Sequence, residues 1–210
     1  NNKNIKENTI ILKKAFSSHL KNLKSMGRSY DHWIQDSILN PYLCIAHNTP
    51  QICSKILDKK FQIYNSIPKF ANDWRWYKSL YGKNRQFNKF FLDDYNSFSH
   101  CMIDYRIEGF KRSKEQNIKL EKLCNNLALL TNTFEKKGHQ IYINKVQPTI
   151  EKIIMNIKKD INENTLNALN EANILLKNKK IEINDVSKMR YFSKLFGREQ
   201  CYLSFINESN

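Results

Sequence analysis

Two histidines in this chain each stand four residues ahead of an aspartate: His32 with Asp36, and His100 with Asp104. On an α-helix that spacing puts both side chains on one face, a turn apart. A carboxylate so placed orients the imidazole and raises its basicity, which is what a general base needs. The same pair on a solvated helix adds only a little helix stability. Both readings stand for both pairs. A metal site drawing on the two pairs together is a lesser alternative, since nothing in the spacing is diagnostic of one.

The third candidate is aromatic. Asp73-Trp74-Arg75-Trp76-Tyr77-Lys78 holds two of the three tryptophans, beside two cations. Ring faces next to cations can bind a flat ligand, or hold a cationic one by cation–π attraction. The plainer alternative buries Trp74 and Tyr77 on a helix and leaves Arg75 and Lys78 wet. Asp104-Tyr105-Arg106 offers the same choice, an ion-pair clamp or a cation at a helix C-terminus.

These residues must be carried by helices for the most part. Leu12, Phe16, Leu20 and Leu23 predict a helix over Asn8 to Met26, stopped by Gly27. Ser29 and Asp31 can cap a second, striped by Tyr30, Trp33, Ile34 and Ile38 and ended by Asn40-Pro41. His32 and Asp36 ride on it, off the apolar stripe. Thr49-Pro50 starts a short helix to about Leu57. Phe61 to Ser66 reads as a strand, and Trp74, Tyr77 and Tyr81 line a helix closed by Gly82.

The longest predicted element is a helix from Asn84 to Ile107. Phe87, Phe91, Tyr95, Phe98, Met102 and Tyr105 form its apolar stripe, which we read as core. Asp93, Asn96, His100 and Asp104 lie opposite. Ser113 caps the next helix, striped by Leu120, Leu123, Leu127, Leu130 and Phe134 and ended by Gly138. Ile141 and Ile143 suggest a brief strand, with a helix over Ile150, Ile153, Ile154 and Ile157 after Pro148. Thr165 to Leu176 is a weaker helix, and Asp185 caps a last one ending at Gly197. Gln200 to Ile206 is a candidate strand. The fold class expected is mostly α with a small β component of two or three short strands.

Several chemistries are excluded. The five glycines stand far apart, so neither GxGxxG nor a Walker loop exists in these 210 residues. Five cysteines (44, 53, 101, 124 and 201) contain no CxxC pair, which removes zinc-ribbon and thioredoxin-like motifs and leaves no disulfide scaffold. No apolar run approaches the roughly 20 residues of a bilayer span, and no signal peptide opens the chain, so a cytoplasmic protein is expected. The chain opens on Asn1 and not on methionine, as a fragment or processed chain does. The net charge of +15 suits nucleic acid. Lysine far outnumbers arginine, however, and its spread alongside abundant Asn and Ile has a compositional explanation.

Five segments taken in order resemble the C-terminal region of bacterial class I S-adenosylmethionine-dependent methyltransferases. They are Gly27-Arg28-Ser29-Tyr30-Asp31-His32-Trp33-Ile34; Asp36 through Asn40-Pro41; Asp73 through Leu80; His100 through Ile103-Asp104-Tyr105-Arg106; and Phe196-Gly197-Arg198-Glu199-Gln200-Cys201-Tyr202-Leu203-Ser204-Phe205. The resemblance runs from about Gly27 to Phe205. It implies one C-terminal domain or fragment over 1–210, with Phe61–Ser66 and Gln200–Ile206 as the last two strands of an α/β sheet. A helical insertion over 84–196 would sit beside the active site.

The glycine loop of that family, and the acidic residue after it, have no match here. S-adenosylmethionine would therefore be bound by the full-length protein and not by this chain alone. The acceptor, of small-molecule or glycan type, is not named by any residue. By the same resemblance His32 or His100 is a possible proton acceptor, and Trp74, Trp76 and Tyr77 line the acceptor pocket. A basic helical module for nucleic acid or protein partners is the alternative.

Overall fold

A computed structural model describes residues 4–24, 26–40, 60–68, 87–106, 110–138, 140–178, 180–198 and 202–207. Among them the chain is mostly α with a small β component. It divides into two compact units: residues 1–46 with 122–197, and residues 47–121 with 198–210.

The second unit is built on a two-stranded antiparallel sheet, β1 (Phe61–Ile67) and β2 (Tyr202–Asn207). Ile63 stands opposite Phe205 and Ser66 opposite Leu203. The register slips between Ile63 and Asn65, so Tyr64 is the extra residue of a bulge and projects into solvent. α4 (Phe87–Phe98) lies on this sheet. Its Phe91 and Tyr95, four apart, bury against Ile63, with Leu203 and Phe205 beside them. Asn88 supports β1 from its side: its amide oxygen accepts from the Ile63 N–H at 2.8 Å, and its amide nitrogen donates to the Phe61 carbonyl at 3.1 Å.

The helix expected to reach Ile107 ends at Phe98. A 3-10 turn over Ser99–Ile103 follows, and Asp104 is extended, with φ −146° and ψ 110°. At three residues per turn, residues four apart no longer share a face. His100 and Asp104, expected opposite the apolar stripe of one helix, are both buried. Farther on, the Arg112 N–H bonds the Ser97 carbonyl at 3.0 Å, and Asn117 donates to the Asn96 carbonyl at 2.8 Å. α5 (Lys114–Lys137) starts here, with Ser113 and Gln116 exchanging side chain-to-backbone bonds as a capping box. It continues into the first unit and ends at Gly138, whose φ of +65° suits a glycine helix stop.

The first unit is helical: α1 (Ile5–Ala15), α2 (Ser17–Asn22), α3 (Tyr30–Ser37), the remainder of α5, α6 (Gln140–Ile157), α7 (Glu163–Leu175), α8 (Ile183–Ser187) and α9 (Phe192–Leu195). Asn4, Ser29 and Asn162 cap α1, α3 and α7 through their side chains. The core is drawn from Leu20, Ile34, Ile153, Ile154, Ile157, Ala168 and Leu195.

Three expectations change here. The helix over Asn8 to Met26 is broken at Phe16, whose ring stacks on Phe196 with centroids 5.1 Å apart. The strand expected at Ile141 and Ile143 is instead the first turn of α6, which runs through Pro148. That proline is exposed to solvent. The last helix is two short ones, and Asp185 accepts from the Glu182 N–H from inside the first turn of α8. The segments at 49–57 and 74–82 lie outside the described residues.

Candidate functional site

In the second unit the chemistry gathers at His100–Arg106, where the chain leaving the 3-10 turn meets Arg198. His100 is fully buried, and its Nε2 lies 3.7 Å from the Cys101 sulfur. Asp104 turns to Arg106: its Oδ1 accepts from the Arg106 N–H at 3.0 Å and from Nε at 2.8 Å, and its Oδ2 accepts from Nη2. That hydrogen bond raises the Arg106 pKa above its ordinary value, against the desolvation that lowers it. The Asp104 carboxylate is thus held by a fork of charge-assisted bonds from Arg106.

Tyr105 is clamped from elsewhere in sequence. Its N–H donates to the Arg198 carbonyl at 3.0 Å, and its phenol oxygen accepts from Arg198 Nη1 at 2.8 Å. The Arg198 guanidinium carbon is also 5.8 Å from the Tyr105 ring centroid, within cation–π range. This site has two guanidinium groups, that of Arg198 bonded to the Tyr105 phenol and that of Arg106 paired with a buried carboxylate. Such an arrangement orients a polar or anionic group. It does not form the four-residue His–Asp relay that the spacing suggested.

In the first unit, His32 and Asp36 lie on α3 as the spacing predicted, and both are exposed. The Asp36 carboxylate goes to Arg28, with Oδ2 2.7 Å from Nη1. Trp74, Arg75, Trp76, Tyr77 and Lys78 lie outside the described residues. Among the described residues no group of three or more His, Cys, Asp or Glu could hold a metal ion.

Two polar residues of the first unit were not singled out by spacing. His19 is fully buried between the rings of Phe16, Phe196 and Phe192, at centroid distances of 5.0, 5.1 and 5.8 Å. Ser18 Oγ donates to the Ser187 carbonyl at 2.9 Å and lies 3.2 Å from His19 Nδ1. Nδ1 is therefore the ring nitrogen that carries the proton, and Nε2 has no hydrogen-bond partner among the described residues. Desolvation lowers the His19 pKa from 6.5 to about 4, and Glu171 opposes the change. Glu171 itself accepts from the N–H groups of Arg190, Tyr191 and Phe192 at 2.7, 2.8 and 2.7 Å. The sequence signal for His19 was its position three after Phe16 and one before Leu20, on the apolar face of the predicted helix. Nothing local marks Glu171, whose partners are about 20 residues away.

No protein-family model, no curated protein and no solved structure matches this chain.

Proposed function

We propose that these residues form the acceptor-side part of a cytoplasmic S-adenosylmethionine-dependent methyltransferase whose cofactor-binding portion lies outside them. The observation that carries this reading is the antiparallel pairing of β1 with β2, strands about 140 residues apart. The resemblance implied these two segments as neighbouring last strands of a larger sheet. A two-stranded ribbon is marginal by itself and gains stability from further strands or a covering helix. The Tyr105–Arg198 clamp adds support, since it joins two of the five resembling segments across 93 residues.

In this reading S-adenosylmethionine would supply the methyl group, and the residues here would contribute chiefly by orienting the acceptor. Arg106, Arg198 and Tyr105 shape the acceptor side, together with Trp74, Arg75, Trp76, Tyr77 and Lys78. His100 and His32 are the candidate proton acceptors.

The test is calorimetric binding of S-adenosylmethionine to residues 1–210 and to the complete reading frame that contains them. Binding by the complete protein alone is the expected result. No binding by the complete protein, with salt-sensitive binding of duplex DNA by residues 1–210, would replace this reading with a nucleic-acid module.

A further inference from the structure

The outward face of α6 carries no carboxylate. At 3.6 residues per turn, Ile141, Lys145, Pro148, Lys152 and Met155 fall on one arc of this helix. The opposite arc holds Val146, Thr149, Ile153, Ile154 and Ile157, all buried. On the outer arc Ile141 is 60% exposed and Met155 62%. Lys145 and Lys152 are exposed as well, and Lys159 continues the seven-residue spacing into the turn after the helix.

Glu151, the acid within α6, is turned aside to Lys177, 2.8 Å away, and to Asn173. Asp160, beyond the helix, is half-buried. None of Lys145, Lys152 and Lys159 makes an ion pair with a described residue. At 1.5 Å per residue Lys145 and Lys152 are about 10 Å apart, and Ile141 to Met155 spans roughly 21 Å.

Single exposed apolar side chains are ordinary on protein surfaces. An acid-free row in which they alternate with unpaired lysines is a composite surface, and it narrows the partner. A nucleic acid would neutralise the lysines but leave Ile141 and Met155 in water. A bilayer with acidic headgroups takes both, because lysine stems lie along apolar surface while their ammonium groups reach phosphate. No described helix is long and apolar enough to cross a membrane, so α6 would lie along the surface. We infer that the outer face of α6 docks reversibly on anionic phospholipid. This inference does not rest on the methyltransferase reading.

Flotation of the full chain with vesicles tests it. Vesicles of about 30% phosphatidylglycerol in phosphatidylcholine should carry the protein, and pure phosphatidylcholine should not. The triple variant Lys145→Glu, Lys152→Glu, Lys159→Glu should lose roughly tenfold or more in partitioning. The matched triple Lys6→Glu, Lys14→Glu, Lys188→Glu removes the same charge from exposed sites in the same unit and should lose far less. Ile141→Ser with Met155→Ser leaves the charge intact and should weaken binding severalfold. Should charge reversal impair folding, the lysine-to-glutamine triple replaces it, with thermal melting as the control. Equal losses from the two lysine triples would overturn the inference. So would an inert Ile141/Met155 pair, or binding of duplex DNA through the stripe without binding of vesicles.

Discussion

Acidification is expected to weaken the first unit through one side chain, His19. Its neutral ring sits fully buried in the cage of Phe16, Phe192 and Phe196. Burial holds the folded-state pKa at about 4, while an unfolded chain protonates near 6.5. Because the folded value is the lower one, the unfolded state binds the extra proton between these limits. Stability is therefore complete above about pH 6.5, declines as the pH falls, and reaches its floor below about pH 4. The difference between 6.5 and about 4 corresponds to ~3 kcal/mol at pH 4, a large fraction of a typical domain's stability. Glu171 works against the effect but does not cancel it.

The assay is urea denaturation followed by circular dichroism, at a series of pH values from about 7.5 to 4, on the parent chain and on His19→Leu. Carboxylates titrate over the same range in both proteins, so the difference between the two pH profiles isolates His19. The parent should lose about 3 kcal/mol more than the variant across that range. Parallel profiles would refute the reasoning, since they would mean that His19 reaches water or a partner for Nε2 when it protonates.

Other substitutions test the packing and the capping. Gly197→Ala puts a methyl carbon 2.9 Å from Leu23 Cδ2 at a φ of +73°. The left-handed backbone alone costs about 1–2 kcal/mol for an alanine, so the melting temperature should fall by several degrees. An unchanged melting temperature would mean that this turn relaxes freely. Glu171→Ala removes the acceptor of three backbone N–H groups and should cost about 2–4 kcal/mol in urea denaturation, with faster amide exchange at Arg190, Tyr191 and Phe192. Protection retained at all three would show that water replaces the carboxylate. Asn88→Ala strips β1 of two hydrogen bonds and should speed exchange of the Ile63 amide, at a cost of about 1–3 kcal/mol. Unaltered Ile63 exchange would count against the role of Asn88 in supporting the strand.

Local chemistry written in the chain settled where several of the helices begin and end. Ser29, Ser113 and Gly138 act where the sequence placed them, because a cap is a bond between a side chain and backbone two or three residues away. The strands at 61–67 and 202–207 were legible as apolar segments, and the apolar stripe of α4 found its core through Phe91 and Tyr95. Three features needed the tertiary structure. Pro148 stays within α6, at an exposed position, where the sequence reading started a helix after it. His100 and Asp104 do not face each other as a helical pair, because α4 gives way to a 3-10 turn before reaching them and Arg106 takes the carboxylate. Glu171 and Arg198 acquire their roles from partners about 20 and 93 residues distant. Spacing along a sequence encodes one helical turn; which carboxylate meets which donor across such separations is decided only when the packed helices fix the distance.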